Sequence, residues 1–326
     1  MAVLVCGGAG YIGSHTVAAL KERNEEVIVI DNLTKGHKES IEGAKLYIGD
    51  IRNPNFLQDV FNKNTIEAVI DFAASIEVGE SAKDPINYYD NNVGGVISLL
   101  RAMNNANCNK IVFSSTAAVY GQPKEIPILE TAEKAPTNVY GNSKLASEQL
   151  LAWCEDAYGI RSVCLRYFNA SGAHPSGKIG EDHNPETHLI PLVLQAAMQK
   201  RESITIFGDD YDTPDGSCIR DYVHVCDLAD AHIKALDHLR TGAKSTQYNL
   251  GSGSGYSVKE VIEIATKVTQ KDIKVIMGKR RIGDPAKLVA SSAKIKTELN
   301  WSPQYDDLEK IIASAWSWHI SHPNGY

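Results

Sequence analysis

The 326-residue sequence has no apolar run near the ~18 residues that a membrane-spanning helix requires. Its amino terminus, MAVLVCGGAG, has no basic segment ahead of its apolar residues and so does not resemble a secretory signal. The net charge of -7 argues against a nucleic-acid or anionic-membrane partner. These absences predict a cytoplasmic protein that binds neither membranes nor nucleic acid.

Cysteine is scarce and scattered. The six cysteines show no CxxC spacing, and several lie inside apolar segments. None of the ten histidines belongs to an HExxH motif. His183 and His188, five residues apart in a polar loop, are interpreted as surface residues. We therefore predict buried thiols in a reducing compartment, no disulfide framework and no metal site.

What the first half does contain is an alternation of β-rich and helical segments. The β-rich runs are dense in Val, Ile, Leu and Phe, as in parallel strands covered by helices on both faces. The six runs are AVLVC (2–6), EVIVID (26–31), KLYIGD (45–50), AVIDFAA (68–74), KIVFSS (110–115) and SVCLRYF (162–168). Helices are predicted between them near 12–22, 54–63, 92–107 and 141–157. This order predicts a doubly wound, parallel α/β sheet of the Rossmann type.

The alternation loosens from about Asn169. A polar loop rich in Gly and Pro spans 169–188, and loops of this length are more often functional than idle. Beyond it we predict a helix near 188–200, a strand at SITIFG (203–208) and a helix near 225–240. Two further helices, a basic turn and a last helix with two tryptophans follow. The expected division is a nucleotide-binding domain at 1–168 and a smaller C-terminal α/β substrate domain at 169–326, with segments near 219–250 able to return to the first domain.

A GxxGxxG pattern, formed by Gly7, Gly10 and Gly13, follows the first strand and opens the first helix. Glycine lets the backbone turn sharply and approach a pyrophosphate, whose charge meets the free N–H groups at the helix start. The next strand ends in Asp31, 18 residues after Gly13, where a carboxylate would accept hydrogen bonds from an adenosine ribose. The pattern predicts dinucleotide binding.

The acidic residue also bears on the choice of dinucleotide. The Asp31 carboxylate should repel a 2′-phosphate, so NAD is favoured over NADP, although Lys35 nearby leaves NADP open. Asp50 ends the third strand, where it could contact the adenine amino group. Taken alone, Asp50 is more typical of a turn or a helix cap.

A second set of polar residues follows the fifth strand. Hydroxyls at Ser114, Ser115 and Thr116 should face the cleft, because ligands of open α/β sheets collect at the carboxyl ends of strands. Downstream, VYGNSK places Tyr140 and Lys144 four residues apart, on one face of a helix. A phenol with a pKa near ~10 is a poor base at neutral pH, and a cation within ~4–6 Å can lower that pKa by roughly 1–3 units. We predict that Lys144 and a positive nicotinamide ring both do so for Tyr140.

Together, the glycine pattern, the hydroxyl cluster and YxxxK resemble the extended short-chain dehydrogenase/reductase family. The resemblance implies that Tyr140 transfers a proton, that Lys144 holds the nicotinamide ribose hydroxyls and that Thr116 hydrogen-bonds the reacting oxygen. It also implies further NAD-binding residues. These are Tyr11, Ile12, Asn32, Lys35, Ile51, Phe72, Ala73, Ala74, Asn91, Ser114 and Phe168.

The hydroxyl segment also separates reactions within the family. Dehydratases of the family resemble TDEVYG here, with an acidic pair for elimination, whereas this chain has Ala117 and Ala118, which cannot move protons. Five further blocks resemble the UDP-hexose 4-epimerases of the family: VGES (78–81), YYDNNVGG (88–95), LRYFNASGAHPSG (165–177), TPDGSCIRDYVHV (213–225) and RRIGDPA (280–286). This resemblance implies interconversion of UDP-galactose and UDP-glucose through a transient 4-keto sugar, with NAD kept bound.

The resemblance also assigns the substrate side. Thr116 and Tyr140 would contact the sugar, and Arg220 and Arg281 would clamp the diphosphate, for which two guanidinium groups are suited. The remaining assignments are Asn169 at the diphosphate or uridine, Leu189 lining the nucleotide slot, Phe207 near uracil, Asp284 at the uridine ribose and Leu288 gating the sugar 2-substituent.

Three positions depart from the family pattern. Asp71 replaces the histidine of an expected HFA, and Ile76 replaces a lysine that some members use near an NAD phosphate. Leu288, at the position that gates the sugar 2-substituent, is neither very small nor very large. UDP-N-acetylhexosamine or UDP-pentose substrates stay open, as does a non-catalytic NAD(H)-sensing role. The family resemblance further suggests a homodimer formed through the helices near 92–107 and 141–157.

Overall fold

The computed structural model describes residues 1–281 and 284–326. Its strands are β1 (Ala2–Cys6), β2 (Val27–Asp31), β3 (Lys45–Ile48), β4 (Ile66–Asp71), β5 (Lys110–Ser114), β6 (Arg161–Tyr167), β7 (Asn169–Ser171), β8 (Ile204–Phe207), β9 (Ile219–Arg220), β10 (Tyr222–His224), β11 (Thr246–Leu250), β12 (Tyr256–Ser257), β13 (Val275–Gly278) and β14 (Lys287–Leu288).

Its α-helices are α1 (Tyr11–Glu22), α2 (Pro54–Lys63), α3 (Val78–Ser81), α4 (Pro85–Tyr89), α5 (Gly95–Asn105), α6 (Val139–Tyr158), α7 (Leu189–Ala197), α8 (Val225–Arg240), α9 (Val258–Thr269), α10 (Ala293–Leu299) and α11 (Leu308–Ser321). Short 3-10 turns lie at Lys38–Ile41 and Ala117–Tyr120, and a π-helical segment lies at Asp90–Gly94. Within the described ranges, no helix is long and apolar enough to cross a membrane.

Seven parallel strands form the central sheet, in the order β11-β6-β5-β4-β1-β2-β3. One face packs against α1 and α8, through residues such as Val17 and Leu236. The other packs against α2, α5 and α6, through residues such as Leu99 and Leu151. The predicted doubly wound α/β fold is confirmed. Chain order reverses between β1 and β4, and this switch point is where such sheets bind ligands.

The carboxy-terminal part has its own apolar core. Side chains of α7, α9 and α11 pack together there with β8, and Val193, Val261 and Ile312 are fully buried. Three small sheets, β7 with β10, β8 with β13, and β12-β9-β14, lie in this half of the sequence. The division of the chain into two domains at residue 168 stays a prediction. Two elements from beyond that residue lie with the first domain, since β11 belongs to the central sheet and α8 packs against it.

Two features of the second half differ from what the sequence indicated. No strand was predicted at residues 246–250, but they form β11, which pairs with β6. Two helices were expected between α8 and the basic turn that ends at Arg281. The structure has one there, α9, and α10 follows the turn. The predicted helices near 12–22, 54–63 and 141–157 correspond closely to α1, α2 and α6. The helix expected near 92–107 is α5, whose regular part begins at Gly95.

Candidate active site

The glycine loop between β1 and α1 has the shape of a pyrophosphate cradle. Gly7 has a φ of +68°, and a Cβ on Gly13 would lie 2.2 Å from the Gly7 carbonyl oxygen. Gly10 differs from both, because its φ is -75° and a Cβ there would meet only the Gly7 oxygen at 3.4 Å. Neither backbone conformation nor internal packing therefore requires glycine at position 10. The outer side of Gly10 is open, and contact with a dinucleotide pyrophosphate there stays a prediction.

Asp31, the last residue of β2, is bonded to the same loop. Its carboxylate accepts hydrogen bonds from the Ala9 N–H at 2.9 Å and from the Leu33 N–H at 2.8 Å. Burial raises the pKa of Asp31, and these two bonds partly offset that rise. The carboxylate thus fixes the glycine loop, and contact with a ribose remains the prediction for this residue.

Three predicted adenosine-side residues already have partners in the protein. The Lys35 ammonium donates to the Asn184 carbonyl at 2.7 Å, so it is directed at the 172–188 loop. Asp50 pairs with the Arg52 guanidinium, which lowers the Asp50 pKa. The Asn32 side chain accepts a bond from the backbone of its own turn.

The carboxyl end of β4 forms the other wall of the cradle. The Phe72 N–H donates to the Cys6 carbonyl at 2.9 Å, which extends the β1–β4 pairing by one bond. A Cβ on Gly7 would lie 2.8 Å from the Ala73 nitrogen, so the two backbones touch. The segment that follows β4 therefore lies beside the cradle. It contains three of the predicted cofactor residues, Phe72, Ala73 and Ala74.

The π-helical segment Asp90–Gly94 carries an amide pair. Asn91 donates to the Ser75 hydroxyl at 3.1 Å. Its buried neighbour Asn92 accepts from the Ser75 N–H at 2.8 Å and donates to the Ser143 hydroxyl at 3.0 Å. Such π-turns recur at functional sites. Asn92, which ties the β4 end to α6, was not among the predicted residues.

The remaining predicted cofactor residues differ in environment. The Tyr11 hydroxyl donates to the Gly172 carbonyl at 2.6 Å, and burial raises the Tyr11 pKa. Ile12, the second residue of α1, packs against the core on one face of the sheet, whereas Ile51 is fully part of the core on the other face. Phe168 packs beside the 3-10 turn at Ala117–Tyr120.

The catalytic residues meet where α6 begins. Asn138 caps the helix by accepting from the Gly141 N–H at 2.8 Å. A Cβ on Gly141 would lie 2.7 Å from the Ala118 carbonyl oxygen, so only glycine lets α6 pack this closely on the 3-10 turn. That approach brings Tyr140 close enough to Thr116 for the two hydroxyl groups to interact. The pairing of Tyr140 with a hydroxyl as a catalytic set stays a prediction.

Burial dominates the ionisation of Tyr140 and Lys144. Burial raises the pKa of Tyr140 to about 12, and only the Thr116 hydrogen bond opposes it. The Lys144 ammonium is buried, donates to the Ser114 carbonyl at 2.8 Å and lies 4.7 Å from the Phe113 ring centre. Burial lowers its own pKa to about 8. Among the protein's own groups desolvation dominates, so the Tyr140 pKa lies above its usual value. The lowering expected from Lys144 and the nicotinamide ring together stays a prediction for the cofactor-bound protein.

Asp71, the departure from the family pattern, lies behind this lysine. It ends β4 directly opposite Phe113 of β5, accepts a bond from the Ala73 N–H at 3.1 Å and is fully buried. Its other oxygen has no hydrogen-bond partner among the described residues. Burial raises the pKa of Asp71 to about 6 and the charge of Lys144 opposes this. The carboxylate in turn favours the charged form of Lys144.

A buried polar network supports the triad and was not predicted. The Arg166 guanidinium donates to Glu148 at 2.9 Å and to the Tyr120 hydroxyl at 2.8 Å. Glu148 also accepts from Ser115, and Tyr120 donates to Asn249 at 2.7 Å. The network joins β5, α6, β6 and β11. The signal was present as one arginine inside an apolar strand and one glutamate inside a helix. In a separate contact, the Ser114 hydroxyl bonds the Tyr167 hydroxyl.

On the substrate side, four predicted residues form one connected group. Arg220 pairs with Asp284, and the Arg281 guanidinium lies 4.1 Å from the ring centre of Phe207. The Asp284 N–H donates to the Arg281 carbonyl at 3.3 Å, which joins the two pairs. Phe207 keeps 38% of its surface exposed. Residues 282 and 283, between the arginine and the aspartate, lie outside the described residues.

The other predicted substrate residues are placed by their strands and helices. Asn169, at the start of β7, donates from its amide to the Asp221 carbonyl at 2.9 Å. Leu189 is the first residue of α7. Leu288 pairs in register with Arg220 and packs against an apolar cluster that includes Ile128, Leu145 and residues of the 3-10 turn.

The interpretation of His183 as a surface residue is wrong. Its side chain is only 13% exposed, and it faces His188 with ring centres 5.2 Å apart. The polar loop folds back onto α1, where His183 meets the Tyr11 ring edge-on at 6.1 Å. Local polarity predicted a surface position, but this long-range packing buries the ring.

A dinucleotide cradle beside a buried Tyr–Thr–Lys cluster defines a nicotinamide-dependent enzyme. The chain belongs to the NAD-dependent epimerase/dehydratase family, whose model matches residues 3–251. A curated protein of Halalkalibacterium halodurans, named UDP-glucose 4-epimerase, is 56% identical over 326 residues, which cover 100% of this chain and 98% of that protein.

Solved structures agree. A crystal structure of a UDP-glucose 4-epimerase is 52% identical, with a TM-score of 0.99 over 100% of this chain and 99% of that one. The Bifidobacterium longum UDP-glucose 4-epimerase, solved in complex with NAD+ and UDP, is 42% identical, with a TM-score of 0.94 and complete coverage of both chains.

Proposed function

We propose that the protein interconverts UDP-galactose and UDP-glucose by oxidising and then re-reducing C4 of the hexose. The observation that carries the proposal is the close packing of the start of α6, which carries Tyr140, on the 3-10 turn that follows Thr116, with Lys144 four residues further along the helix. Ala117 and Ala118 follow Thr116, so the acidic pair that elimination requires is missing from this turn. A reaction that returns a hydride to C4 and a proton to the oxygen on C4 fits this set.

The residues divide the chemistry between them. Tyr140 removes the proton of the 4-hydroxyl and later returns it to the 4-keto oxygen, while the Thr116 hydroxyl orients that oxygen. Lys144 contributes positive charge and ribose contacts. NAD, when bound, accepts and returns the C4 hydride and adds positive charge beside the phenol, whose pKa the protein alone holds at about 12.

The cofactor would be held by the cradle on one side of the switch point. The residues assigned to it are the three glycines of the pattern together with Asp31, Phe72, Ala73, Ala74, Asn91 and Ser114. The open outer face of Gly10 is the structural feature that supports a pyrophosphate there.

The substrate would be held by its nucleotide. Arg220 and Arg281 supply guanidinium groups for the diphosphate, Asp284 a carboxylate for the ribose and Phe207 a partly exposed ring for uracil. Inversion at C4 requires that the sugar present both faces to one hydride donor. Binding energy concentrated on UDP permits this turn of the sugar while the substrate stays bound.

A substrate panel tests the proposal and its same-class alternatives. Purified protein is assayed with UDP-galactose, UDP-N-acetylgalactosamine and UDP-arabinose, and kcat/KM is measured for each. We expect the highest value for UDP-galactose, because the relative that is 56% identical over the whole chain is named UDP-glucose 4-epimerase. A higher value for the N-acetylated or pentose substrate would assign the specificity to that alternative, and no turnover of any would contradict epimerisation.

We also propose a cytoplasmic homodimer formed through α5 and α6. Trp153 on α6 is 72% exposed, which is unusual for so large an apolar side chain, and all six thiols are free. Light scattering should give twice the 35.6 kDa mass of the chain. Trp153→Glu should shift the protein to a monomer, whereas Ile320→Glu, at an exposed position of α11, should not. A monomeric unmodified protein would contradict the dimer.

A further inference from the structure

The polar loop before α7 gathers two histidines and two glutamates that the proposed reaction does not use. Glu181, His183, Glu186 and His188 follow one another in an E-x-H-x-x-E-x-H spacing. Each offers one ligand-type atom, and these atoms lie within 4.8 Å of one another. Spacing alone did not indicate a site, because the fold of the loop is what brings the four side chains together.

The separations of these atoms fit a tetrahedral metal site. His188 Nδ1 lies 2.9 Å from Glu181 Oε1 and 3.1 Å from Glu186 Oε1. His183 Nδ1 lies 3.2 Å from Glu181 Oε1 and 3.7 Å from Glu186 Oε2. A tetrahedral zinc ion with bonds of about 2.0–2.2 Å holds neighbouring ligand atoms roughly 3.3–3.6 Å apart. The observed distances bracket that range.

Hydrogen bonding does not account for the cluster. Glu181 is 4% exposed, and in the part of the chain that the structure describes neither its Oε1 nor His183 Nδ1 has a hydrogen-bond partner. Of the four close contacts, only that between His188 and Glu186 has hydrogen-bond geometry. Buried polar atoms without partners are costly, and a cation between them would satisfy both.

Protons are the competitors of a metal at this position. Burial alone would lower the pKa of both histidines, but the two carboxylates raise that of His183 to about 9 and that of His188 to about 11. Two imidazolium and two carboxylate groups would be neutral, as would a divalent cation bound by two neutral imidazoles and two carboxylates. The net charge is the same for the protonated and the metal-bound cluster, so it does not distinguish them. The three contacts that lack hydrogen-bond geometry favour the cation.

We propose that Glu181, His183, Glu186 and His188 bind one Zn²⁺ ion. Two imidazole nitrogens and two carboxylate oxygens suit zinc, whereas calcium and magnesium prefer oxygen ligands alone. Four protein ligands leave no open coordination position, so the site is structural. The ion takes no part in the proposed reaction, and the proposal is independent of the UDP-sugar assignment.

The position of the cluster gives the ion a bracing role. His183 lies against the ring of Tyr11, the first residue of α1, whose hydroxyl bonds the start of the same loop at Gly172. His188 immediately precedes α7, which begins at Leu189. Zinc would therefore tie the long loop to the glycine cradle on one side and to the start of α7 on the other.

Zinc content and thermal stability test the proposal. The untagged full chain is purified with zinc in the medium, dialysed and analysed by mass spectrometry for metal. We expect about one zinc per chain, and close to none in the double variant His183→Asn/His188→Asn. His174→Asn, in the same loop but outside the cluster, is the matched control and should keep the ion. After chelation, added Zn²⁺ should raise the Tm of the unmodified protein and the control, but not of the double variant.

Two measurements on the unmodified chain keep the test decisive if the double variant does not fold. Calorimetric titration of chelator-treated protein with Zn²⁺ should show one saturable site, and Co²⁺ in its place should give the visible absorption of tetrahedral coordination. Glu186→Gln should weaken both signals. If the unmodified chain shows no saturable zinc site, or binds no more zinc than the double variant, the cluster is a network of imidazolium and carboxylate groups and the proposal is overturned.

Discussion

At Tyr140, desolvation and hydrogen bonding act on the phenol in opposite directions. Burial raises its pKa to about 12, while the Thr116 hydroxyl stabilises the ionised form. Proton transfer at neutral pH therefore needs further positive charge, to which Lys144 and the bound cofactor both contribute. The chemistry depends on this balance at a single residue, which makes the phenol the first group to test.

Tyr140→Phe should lower kcat for UDP-galactose by roughly 10²–10⁴-fold, the usual contribution of a general acid–base group. The phenylalanine ring keeps the packing but cannot exchange a proton, so the Kd of UDP should not change. Initial rates and calorimetric UDP titration measure the two quantities. Tyr158→Phe, at the exposed end of the same helix, is the control. An unchanged kcat would contradict the assignment of proton transfer to Tyr140.

Asp71 provides a test of how the free energy of unfolding depends on pH. Its folded-state pKa is raised from 3.8 to about 6, so its stabilising contribution is present at low pH and is lost as pH rises through that window. Asp71→Asn keeps the acceptor for the Ala73 N–H and cannot ionise, so the variant should not lose this stability as pH rises. We expect the variant to gain about 1–3 kcal/mol relative to the unmodified protein at pH 8, and less at pH 5. Equal gains at both values would contradict the assignment.

The same substitution should alter the pH profile of activity. The Asp71 carboxylate favours the charged form of Lys144, whose pKa is already lowered to about 8 by burial. Without that carboxylate the lysine should lose its proton at lower pH, so the alkaline decline in kcat should begin at lower pH. Asp156→Asn, at an exposed position of α6, is the control. A profile that does not move would separate Asp71 from the catalytic lysine.

Among the elements, α6 carries the proposed catalytic residues Tyr140 and Lys144. The buried polar network of Arg166 and Glu148 fixes this helix to the sheet. Its Glu148 bonds Arg166 of β6, and both side chains are almost fully buried. A buried pair of this kind fixes how the helix lies on the sheet, and removing one partner leaves an uncompensated charge. The position of Tyr140 thus depends on residues far from the substrate.

Arg166→Met should lower the free energy of unfolding by about 3–5 kcal/mol, because Glu148 would be left buried and unpaired. The double variant Glu148→Gln/Arg166→Met should recover part of that loss. Lys63→Met, which breaks the exposed pair with Asp59, should change stability by less than about 0.5 kcal/mol. Denaturant unfolding measures all three. A double variant less stable than Arg166→Met would show that the pair is not the source of the loss.

Local patterns were sufficient for most of the central sheet but not for its last strand. The runs that became β1, β2, β4, β5 and β6 are apolar on both faces, which only buried parallel strands require. β11, with the sequence TQYNL, contains two amides and was missed. Its Asn249 is buried because the side chain bonds Tyr120 and the Ile128 carbonyl, partners more than 100 residues away. Such compensation cannot be read from a local pattern.

At the scale of the whole molecule, motifs predicted which residues surround the cleft, whereas their electrostatics depended on the fold. The sequence places Tyr140 and Lys144 on one helix face, but burial, which decides both pKa values, follows from the packing of α6 against β5 and the 3-10 turn. The Glu181–His188 cluster has the same origin, since a loop that looks exposed in sequence folds back onto α1.

The proposed reaction regenerates its cofactor in each cycle, so the whole protein should act without any added oxidant. The most direct test is to incubate the purified protein with UDP-galactose, with no NAD added, and to follow the sugars by NMR. We predict conversion to an equilibrium mixture with UDP-glucose, and the same mixture when the reaction starts from UDP-glucose. No conversion, or accumulation of an oxidised sugar together with NADH, would contradict epimerisation.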